Sequence, residues 1–204
     1  MLRFTTDAAT RLSPRRDPAL TCTVSPAPLM KLALFLLLGL VLLIALAAVV
    51  FYVAGSRLPR EHRSVVTATF KAARPAVWAA LTDYPAMPAW WPSLKSIRTE
   101  KLPDGTELTW NTDRHNHEIP FRTAESRVNE KLVRVIASDR LPFGGTWTFL
   151  LADAPGGGTQ LTLTEDGIIN PPIFRAVATW FMGLDATQKD FVGALEKHLA
   201  APTK

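Results

Sequence analysis

One long apolar segment constrains the fold of this chain more than any other feature of its sequence. The segment, residues 32–54, contains 23 residues and no charged side chain. A helix rises about 1.5 Å per residue, so a helix of this length can cross a hydrocarbon core of roughly 30 Å. A secretory signal has a shorter apolar region of about 7–15 residues. We therefore predict a retained, single-pass transmembrane helix over residues 31–55.

The charged residues lie on both sides of this segment. Residues 1–31 carry five Lys and Arg against two acids, which leaves 18 against 16 (23 − 5 and 18 − 2) in residues 56–204. The second part has a net charge of only +2, and this argues against a nucleic-acid partner. Because basic residues flank the segment at both ends, the positive-inside rule fits either orientation. A translation start at Met30 would remove most of the leader's charge and favour a cytosolic C-terminal domain.

Composition divides the rest of the chain into three parts. Residues 1–30 are rich in Pro, Ser, Thr and Arg without periodicity, and we predict a disordered leader. Residues 56–63 form a short basic linker. Residues 64–200 have the size and the apolar content of one folded domain. The only cysteine, Cys22, precedes the apolar segment, so this sequence contains no pair of cysteines for an internal disulfide.

The order of strands and helices after the linker indicates an α+β fold. Alternating apolar residues predict strands, and stretches rich in Pro and Gly predict the turns between them. The predicted strands are residues 64–70, 94–101, 107–112, 117–129, 131–138, 146–152 and 159–167. Helices are predicted over residues 74–84 and 173–199, with at most a short helix near Trp90. Consecutive antiparallel strands with segregated helices are typical of α+β domains.

Two of these elements have a one-sided pattern. On the strand 131–138, Arg134 lies on the face opposite to Val133, Val135 and Ala137. On the long C-terminal helix, Gln188 interrupts an apolar stripe at helical spacing, whose members are Val177, Phe181, Leu184, Phe191 and Leu195.

Three segments resemble a known family. Residues 64–84, SVVTATFKAARPAVWAALTDY, resemble the first strand and helix of the START-like (SRPBCC) superfamily, which includes polyketide cyclase/dehydrase-like and Bet v 1-like proteins. The Trp90-Trp91-Pro92 segment resembles the family's element that follows this helix. Residues 186–199, ATQKDFVGALEKHL, are similar to its terminal helix. The resemblance covers roughly residues 62–200.

The resemblance implies a helix-grip fold, in which a curved antiparallel sheet wraps around a long C-terminal helix and leaves a cavity. Members bind sterols, lipids, polyketides and other apolar molecules, and membrane-anchored bacterial members are known. We expect the ligand to contact inward strand residues and the helix stripe, although the same spacing is typical of ordinary core residues. The candidate ligand-binding residues are Trp110, Phe121, Trp147, Phe149, Leu163, Glu165, Trp180, Phe181 and Leu184.

The polar candidates are fewer. Glu165 continues the alternation of its strand, and a buried carboxylate costs several kcal/mol unless it is paired or protonated. Asp113, His115, His117 and Glu118 include metal-binding side chains, but their segment has the composition of a solvated hairpin loop, and we predict neither a metal nor a cofactor. Trp90 and Trp91 fit either closure of the core or a lip at the mouth of the cavity.

These observations lead to one hypothesis and two alternatives. The hypothesis is a membrane-anchored domain that binds a hydrophobic small molecule or lipid. The first alternative is a cyclase- or dehydratase-type enzyme that acts on an apolar substrate with Glu165 or His117 as acid or base. The second is an interaction module of a membrane assembly, whose cavity is filled by its own side chains.

Overall fold

The computed structural model describes residues 27–201, and the chain divides between Ile44 and Ala45 into two units. The predicted leader lies outside the described residues except for residues 27–30, which form the first turn of helix α1 (Ala27–Arg57). This helix therefore extends the predicted 31–55 at both ends. Within it, Leu29–Arg57 is long and apolar enough to cross a membrane, a property that a signal sequence near the N-terminus shares.

Seven antiparallel strands form one curved sheet. The strands are β1 (Glu61–Phe70), β2 (Leu94–Lys101), β3 (Glu107–Asp113), β4 (Glu118–Arg127), β5 (Lys131–Ile136), β6 (Phe143–Asp153) and β7 (Thr159–Ile169). Their order in the sheet is β1-β7-β6-β5-β4-β3-β2, so the first strand pairs with the last and the others are neighbours in sequence. All seven predicted strands are present, and β1 has the alternating burial that its sequence pattern predicts.

Residues 58–60 are all that separates α1 from the sheet. The predicted linker 56–63 is therefore wrong at both ends, since α1 continues to Arg57 and β1 begins at Glu61. The Ile169 N–H donates to the carbonyl oxygen of Arg60 (2.9 Å), which extends the β1–β7 pairing into this connection.

Two short helices follow β1. Helix α2 (Arg74–Thr82) begins with Pro75 in its first turn, where the missing N–H costs no hydrogen bond, and buries Val77 and Leu81. The carboxylate of Asp83 then accepts from the Ala86 N–H (3.3 Å) and caps a single 3₁₀ turn. Helix α3 (Met87–Trp90) is the short helix that the sequence predicts near the tryptophans.

The C-terminal helix is interrupted, contrary to the prediction of one helix over residues 173–199. Helix α4 (Pro172–Val177) continues into a π-helical turn (Ala178–Met182), and helix α5 (Ala186–Ala200) starts anew. Gly183 has a φ of +82°, the left-handed conformation that glycine adopts without a steric penalty and that ends helices. The predicted stripe is divided by this break, so that Phe181 is exposed whereas Phe191 and Leu195 are buried.

The core lies between the concave face of the sheet and helices α2 and α5. Its largest fully buried side chains include Leu81, Leu132, Leu161, Leu163 and Phe191.

Gln188, which interrupts the apolar stripe, is fully buried in this core. Its amide N–H donates to the Leu163 carbonyl oxygen (3.1 Å), and its amide oxygen accepts from the Ser64 hydroxyl (2.6 Å). A buried amide is stable when its hydrogen bonds are made, so Gln188 fixes the position of α5 along β1 and β7.

Candidate functional site

A cavity of about 270 Å³ lies between the inner face of the sheet and helices α2, α3 and α5. Ser93 and Thr187 are exposed members of its wall, so the cavity opens to solvent beside the first turn of α5. Ligand pockets for drug-sized molecules span about 300–1,000 Å³, and this cavity therefore fits a compact ligand. The remaining wall residues are Leu81, Tyr84, Met87, Trp91, Leu94, Asn111, Asp113, Ile119, Phe121, Leu132, Arg134, Trp147, Phe149 and Phe191.

Three of the predicted ligand-binding residues, Phe121, Trp147 and Phe149, line this cavity. Their strands are neighbours of β5, and their positions share the inner face because residues directly opposite in an antiparallel pair point to the same side. Trp147 lies opposite Arg134, and Phe149 lies opposite Leu132. Ligand contact is therefore kept as a proposal for these three residues.

Three other candidates lie elsewhere in the domain. Trp110 is on the outer face, where its indole N–H donates to Glu100 (2.8 Å) and the guanidinium of Arg98 lies 5.0 Å from its ring centre. Leu163 is fully buried in the core and is not part of the cavity wall. Leu184 lies in the break between α4 and α5, also outside the wall.

Trp180 and Phe181 are exposed and lie outside the cavity wall. They are 50% and 71% exposed, and both belong to the π-helical turn. Both rings contact Phe51 near the end of α1, with centroid distances of 5.9 Å in each case.

Glu165 lies on the inner face of β7 but not in the cavity wall. It is opposite Trp147, which separates it from Arg134 in the same cross-strand row. Burial raises the pKa of Glu165, and the side chain of Trp147 partly opposes this. His62 is the nearest basic group (Nε2–Oε1 3.9 Å), and burial lowers the pKa of its imidazole. Burial thus favours the neutral form of both groups.

The polar segment between β3 and β4 is a tight turn. The Asp113 carboxylate accepts from the backbone N–H groups of His115 (2.7 Å) and His117 (2.9 Å) and contacts the His117 ring nitrogen Nδ1 (2.9 Å). The hydrogen bond from the His117 N–H is the main reason that the pKa of Asp113 is lowered. Within the described residues 27–201, no group of three or more His, Cys, Asp or Glu side chains is placed to hold a metal.

Trp90 and Trp91 close the core. Trp91 packs edge-on against Phe191 at 4.9 Å, and its indole N–H donates to Asp190 of α5 (2.7 Å). Trp90 packs against Phe191 at 5.6 Å and stacks on His198 at 5.3 Å. Both tryptophans are partly buried against the core, as the closure interpretation expects, and Trp91 also belongs to the cavity wall.

Two polar residues that the sequence did not single out as ligands also line the cavity. Arg134 of β5 is only 7% exposed, and Asn111 of β3 has a buried side-chain oxygen without a hydrogen-bond partner in the described part of the chain. The Arg134 guanidinium donates to the Thr109 hydroxyl and lies over the ring of Tyr84, 4.2 Å from its centre. The sequence feature that could have identified Arg134 as an inward residue is Leu132, which lies two residues earlier and therefore on the same face of the strand.

Residues 61–200 match the family described as polyketide cyclase / dehydrase and lipid transport. No curated protein matches the sequence.

Several solved structures share the fold. The di-domain ARO/CYC BexL from the BE-7585A biosynthetic pathway is 11% identical with a TM-score of 0.58, and the match covers 74% of this chain and 53% of BexL. This chain thus spans about half of that protein. A START superfamily protein from Mycobacterium smegmatis is 18% identical, with a TM-score of 0.50 over 68% of this chain and 97% of the other. An uncharacterized protein from Rhizobium leguminosarum is also 18% identical, with a TM-score of 0.53 over 68% and 94%.

Proposed function

The chain belongs to the polyketide cyclase/dehydrase and lipid transport family, and we propose that it binds a hydrophobic small molecule or lipid in its cavity while α1 anchors it to a membrane. The observation that carries this proposal is the cavity itself. Its wall is built mainly of apolar and aromatic side chains, and it opens to solvent at one end. A concave, mostly apolar site with a few polar groups is the usual form of a small-molecule pocket.

Occupation of the cavity can be tested with a neutral apolar probe. We expect the full chain in phosphatidylcholine nanodiscs to bind radiolabelled decanol saturably in equilibrium dialysis, after subtraction of the binding to empty nanodiscs. Ile119→Trp places a larger side chain in the cavity wall and is expected to weaken this binding by at least about tenfold, since it takes volume from the site. Thermal unfolding shows whether the variant is folded.

The matched control for this experiment is Val133→Trp. Val133 is also half-buried on a strand, but it lies one residue from Arg134 and therefore on the opposite face of the sheet. This variant is expected to bind decanol as the unmodified chain does. Equal decanol binding by the Ile119→Trp protein and the Val133→Trp protein would contradict the proposed site.

The membrane part of the proposal is supported by an exposed apolar patch on the second unit. This patch, which we call the aromatic patch, consists of Phe174, Trp180, Phe181 and Met182, each at least half exposed. Exposed apolar clusters of this kind mark interaction surfaces, and Trp is enriched where proteins meet the membrane interface. The patch is continuous with apolar α1, because Phe51 stacks on Phe181 with an interplanar angle of 29°.

The end of α1 is also fixed to the domain by a buried arginine. Arg175 is 5% exposed, and its Nε donates to the Gly55 carbonyl oxygen (2.9 Å). Its Nη1 donates to the carbonyl oxygens of Ile169 (3.2 Å) and Asn170 (3.1 Å). The last carbonyls of a helix have no partner within the helix, and the Gly55 oxygen accepts both from the Leu58 N–H (3.2 Å) and from Arg175, which links it to β7. With α1 in the bilayer, this link keeps the cavity at the membrane, where apolar ligands are concentrated.

Contact of the aromatic patch with lipid predicts a specific accessibility pattern. We expect a nitroxide attached at Phe181→Cys, in a Cys22→Ser background, to be accessible to oxygen and shielded from a water-soluble nickel chelate in nanodiscs. Oxygen concentrates in the hydrocarbon, whereas the chelate is excluded from it. Val128→Cys is the control, because Val128 is 69% exposed, almost as much as Phe181, but lies in the β4–β5 turn. If the nitroxides at Phe181→Cys and Val128→Cys were equally accessible to the nickel chelate, lipid contact of the aromatic patch would be contradicted.

A cyclase or dehydratase activity has less support from the geometry. Neither Glu165 nor His117, the two acid/base candidates, is part of the cavity wall, and His117 lies on an exposed turn. General acid/base catalysis requires the group to reach the reacting atoms directly or through one water. Binding is therefore the function that we propose.

A further inference from the structure

The cavity contains a positive charge without a negative partner. Arg134 is 7% exposed, and none of the ion pairs formed among residues 27–201 includes it. Its Nε has no hydrogen-bond partner in this part of the chain. The guanidinium instead contacts neutral groups, which are the Thr109 hydroxyl and the rings of Tyr84 and Phe121, whose centres lie 4.2 Å and 5.7 Å away.

These contacts compensate only part of the cost of burial. Burial lowers the pKa of Arg134, and the nearby Tyr84 and Glu107 oppose this, the tyrosine more strongly. Arginine keeps its charge in proteins nevertheless, so the free energy cost of desolvation falls on the folded domain. Buried guanidinium groups are normally paired with a carboxylate or a phosphate, which they bind in a bidentate manner. The partner that this cavity lacks is an anion.

A second unpaired group lies in the same wall. The Asn111 side-chain oxygen is buried and has no donor among the described residues. Asn111 shares the inner face of β3 with Thr109, two residues away, so it lies one step from the hydroxyl that Arg134 contacts. A hydroxyl or N–H group on a ligand would satisfy it.

The acidic residues near the cavity do not take the place of this anion. Glu107, two residues before Thr109 on β3, is exposed and forms no ion pair with Arg134 among residues 27–201. Asp113 lies four residues beyond Thr109 on the same strand, which places their Cα atoms about 13 Å apart. Its carboxylate is engaged by the turn at His115 and His117. Glu165 is separated from Arg134 by Trp147. The wall is thus positive at Arg134 and negative toward Asp113. An anionic group on a ligand is favoured at Arg134 and disfavoured at Asp113.

We propose that the ligand of this cavity is an apolar molecule with an anionic oxygen group, a carboxylate or a phosphate, that pairs with Arg134, and with a hydrogen-bond donor for Asn111. The inference rests on the proposed function, because it assigns the polar end of the same ligand. An anionic group also gives an amphipathic membrane molecule one orientation in the cavity, with its charge at Arg134 and its chain among the aromatic side chains.

The test compares probes that share one alkyl chain: decanol, decanoate and decyl phosphate at pH 8, with the full chain in phosphatidylcholine nanodiscs. We expect at least one of the two anions to bind the unmodified protein about 10- to 100-fold more tightly than decanol, the range for hydrogen bonds to a charged group. The stronger of the two anions identifies carboxylate or phosphate as the preferred group. This comparison needs no variant, so it holds even where a substitution at Arg134 prevents folding.

Arg134→Met is expected to remove this preference and leave decanol binding within about threefold, because it removes the charge and keeps most of the apolar stem. Arg134→Lys should retain part of the preference, since it keeps the charge without the planar fork. Arg122→Met is the control, because Arg122 is an exposed arginine on the neighbouring strand and its loss changes the net charge equally.

The outcomes separate the inference from the proposed function. Saturable binding of decanol with no preference for either anion overturns the anionic ligand and leaves apolar binding in place. A preference that persists in the Arg134→Met protein, or that is lost equally in the Arg122→Met protein, overturns the role of Arg134. Absence of saturable binding by all three probes contradicts the proposed function, and the inference fails with it.

Discussion

Replacing Phe191 by alanine is expected to lower the free energy of unfolding by about 3–5 kcal/mol, the range for loss of a buried phenylalanine ring. Phe191 is 2% exposed and lies where α5 meets the sheet. Its ring contacts four others, those of Trp90, Trp91, Trp147 and Phe149, at centroid distances between 4.9 and 5.8 Å. Removal of the ring leaves a void that these large, mutually packed side chains cannot fill. Urea unfolding of the full chain in nanodiscs, followed by circular dichroism, measures the change.

The control for this prediction is the same substitution at an exposed phenylalanine. Phe174→Ala removes an equal number of atoms from a side chain that is 64% exposed, and it is expected to cost no more than about 0.5 kcal/mol. Because Phe191 also lines the cavity, loss of its ring enlarges the cavity. Similar unfolding free energies for the Phe191→Ala and Phe174→Ala proteins would show that the aromatic cluster does not hold α5 on the sheet.

The second large effect is expected at Gly158, in the turn between β6 and β7. Gly158 has a φ of +84°, and a Cβ atom built there lies 2.1 Å from the Phe70 carbonyl oxygen, at the end of the neighbouring strand β1. Alanine would therefore force apart the β7 and β1 backbones, in addition to adopting an unfavourable conformation. We expect Gly158→Ala to lower the free energy of unfolding by on the order of 3 kcal/mol or more, among the larger effects of single substitutions.

Gly156 in the same turn separates the two contributions. Its φ is +90°, but no atom lies within 4 Å of a Cβ atom built on it. Gly156→Ala is expected to cost only the left-handed conformation, about 1–2 kcal/mol. The difference between the two variants, measured by the same urea titration, is the cost of the contact with Phe70. Equal costs would mean that the β1–β7 edge moves freely to accept the new methyl group.

The strands were predictable from sequence because their periodicity is a local property. Residues 64–70 alternate between apolar and polar side chains, and β1 contains all of them with the same alternation in burial. The C-terminal helix was predicted less well, since helical spacing continues through residues 173–199 while Gly183 adopts a left-handed conformation. A single glycine within a helical pattern does not reveal its φ, and tertiary packing decides whether it ends the helix.

The candidate site was predictable only in part, for a related reason. Alternation shows which residues share a face, but it does not show which face is inside. On β5 the valines opposite to Arg134 suggest that the arginine points to solvent, whereas Leu132 and Arg134 are the buried pair. Trp110 is apolar and on a strand, yet it lies on the outer face with Arg98 and Glu100. The orientation of a strand depends on its neighbours across the sheet, which the sequence of one strand does not specify.

The hydrogen bond between Arg175 and Gly55 affects how this protein can be divided for expression. A fragment that starts at residue 56 lacks the Gly55 carbonyl oxygen, so that Arg175 Nε loses its acceptor in a buried position. The same fragment lacks Phe51, whose ring contacts Trp180 and Phe181. Without Phe51, these two rings become free to associate with other molecules. A fragment that keeps both contacts therefore includes Phe51 and Gly55, at the end of the apolar helix.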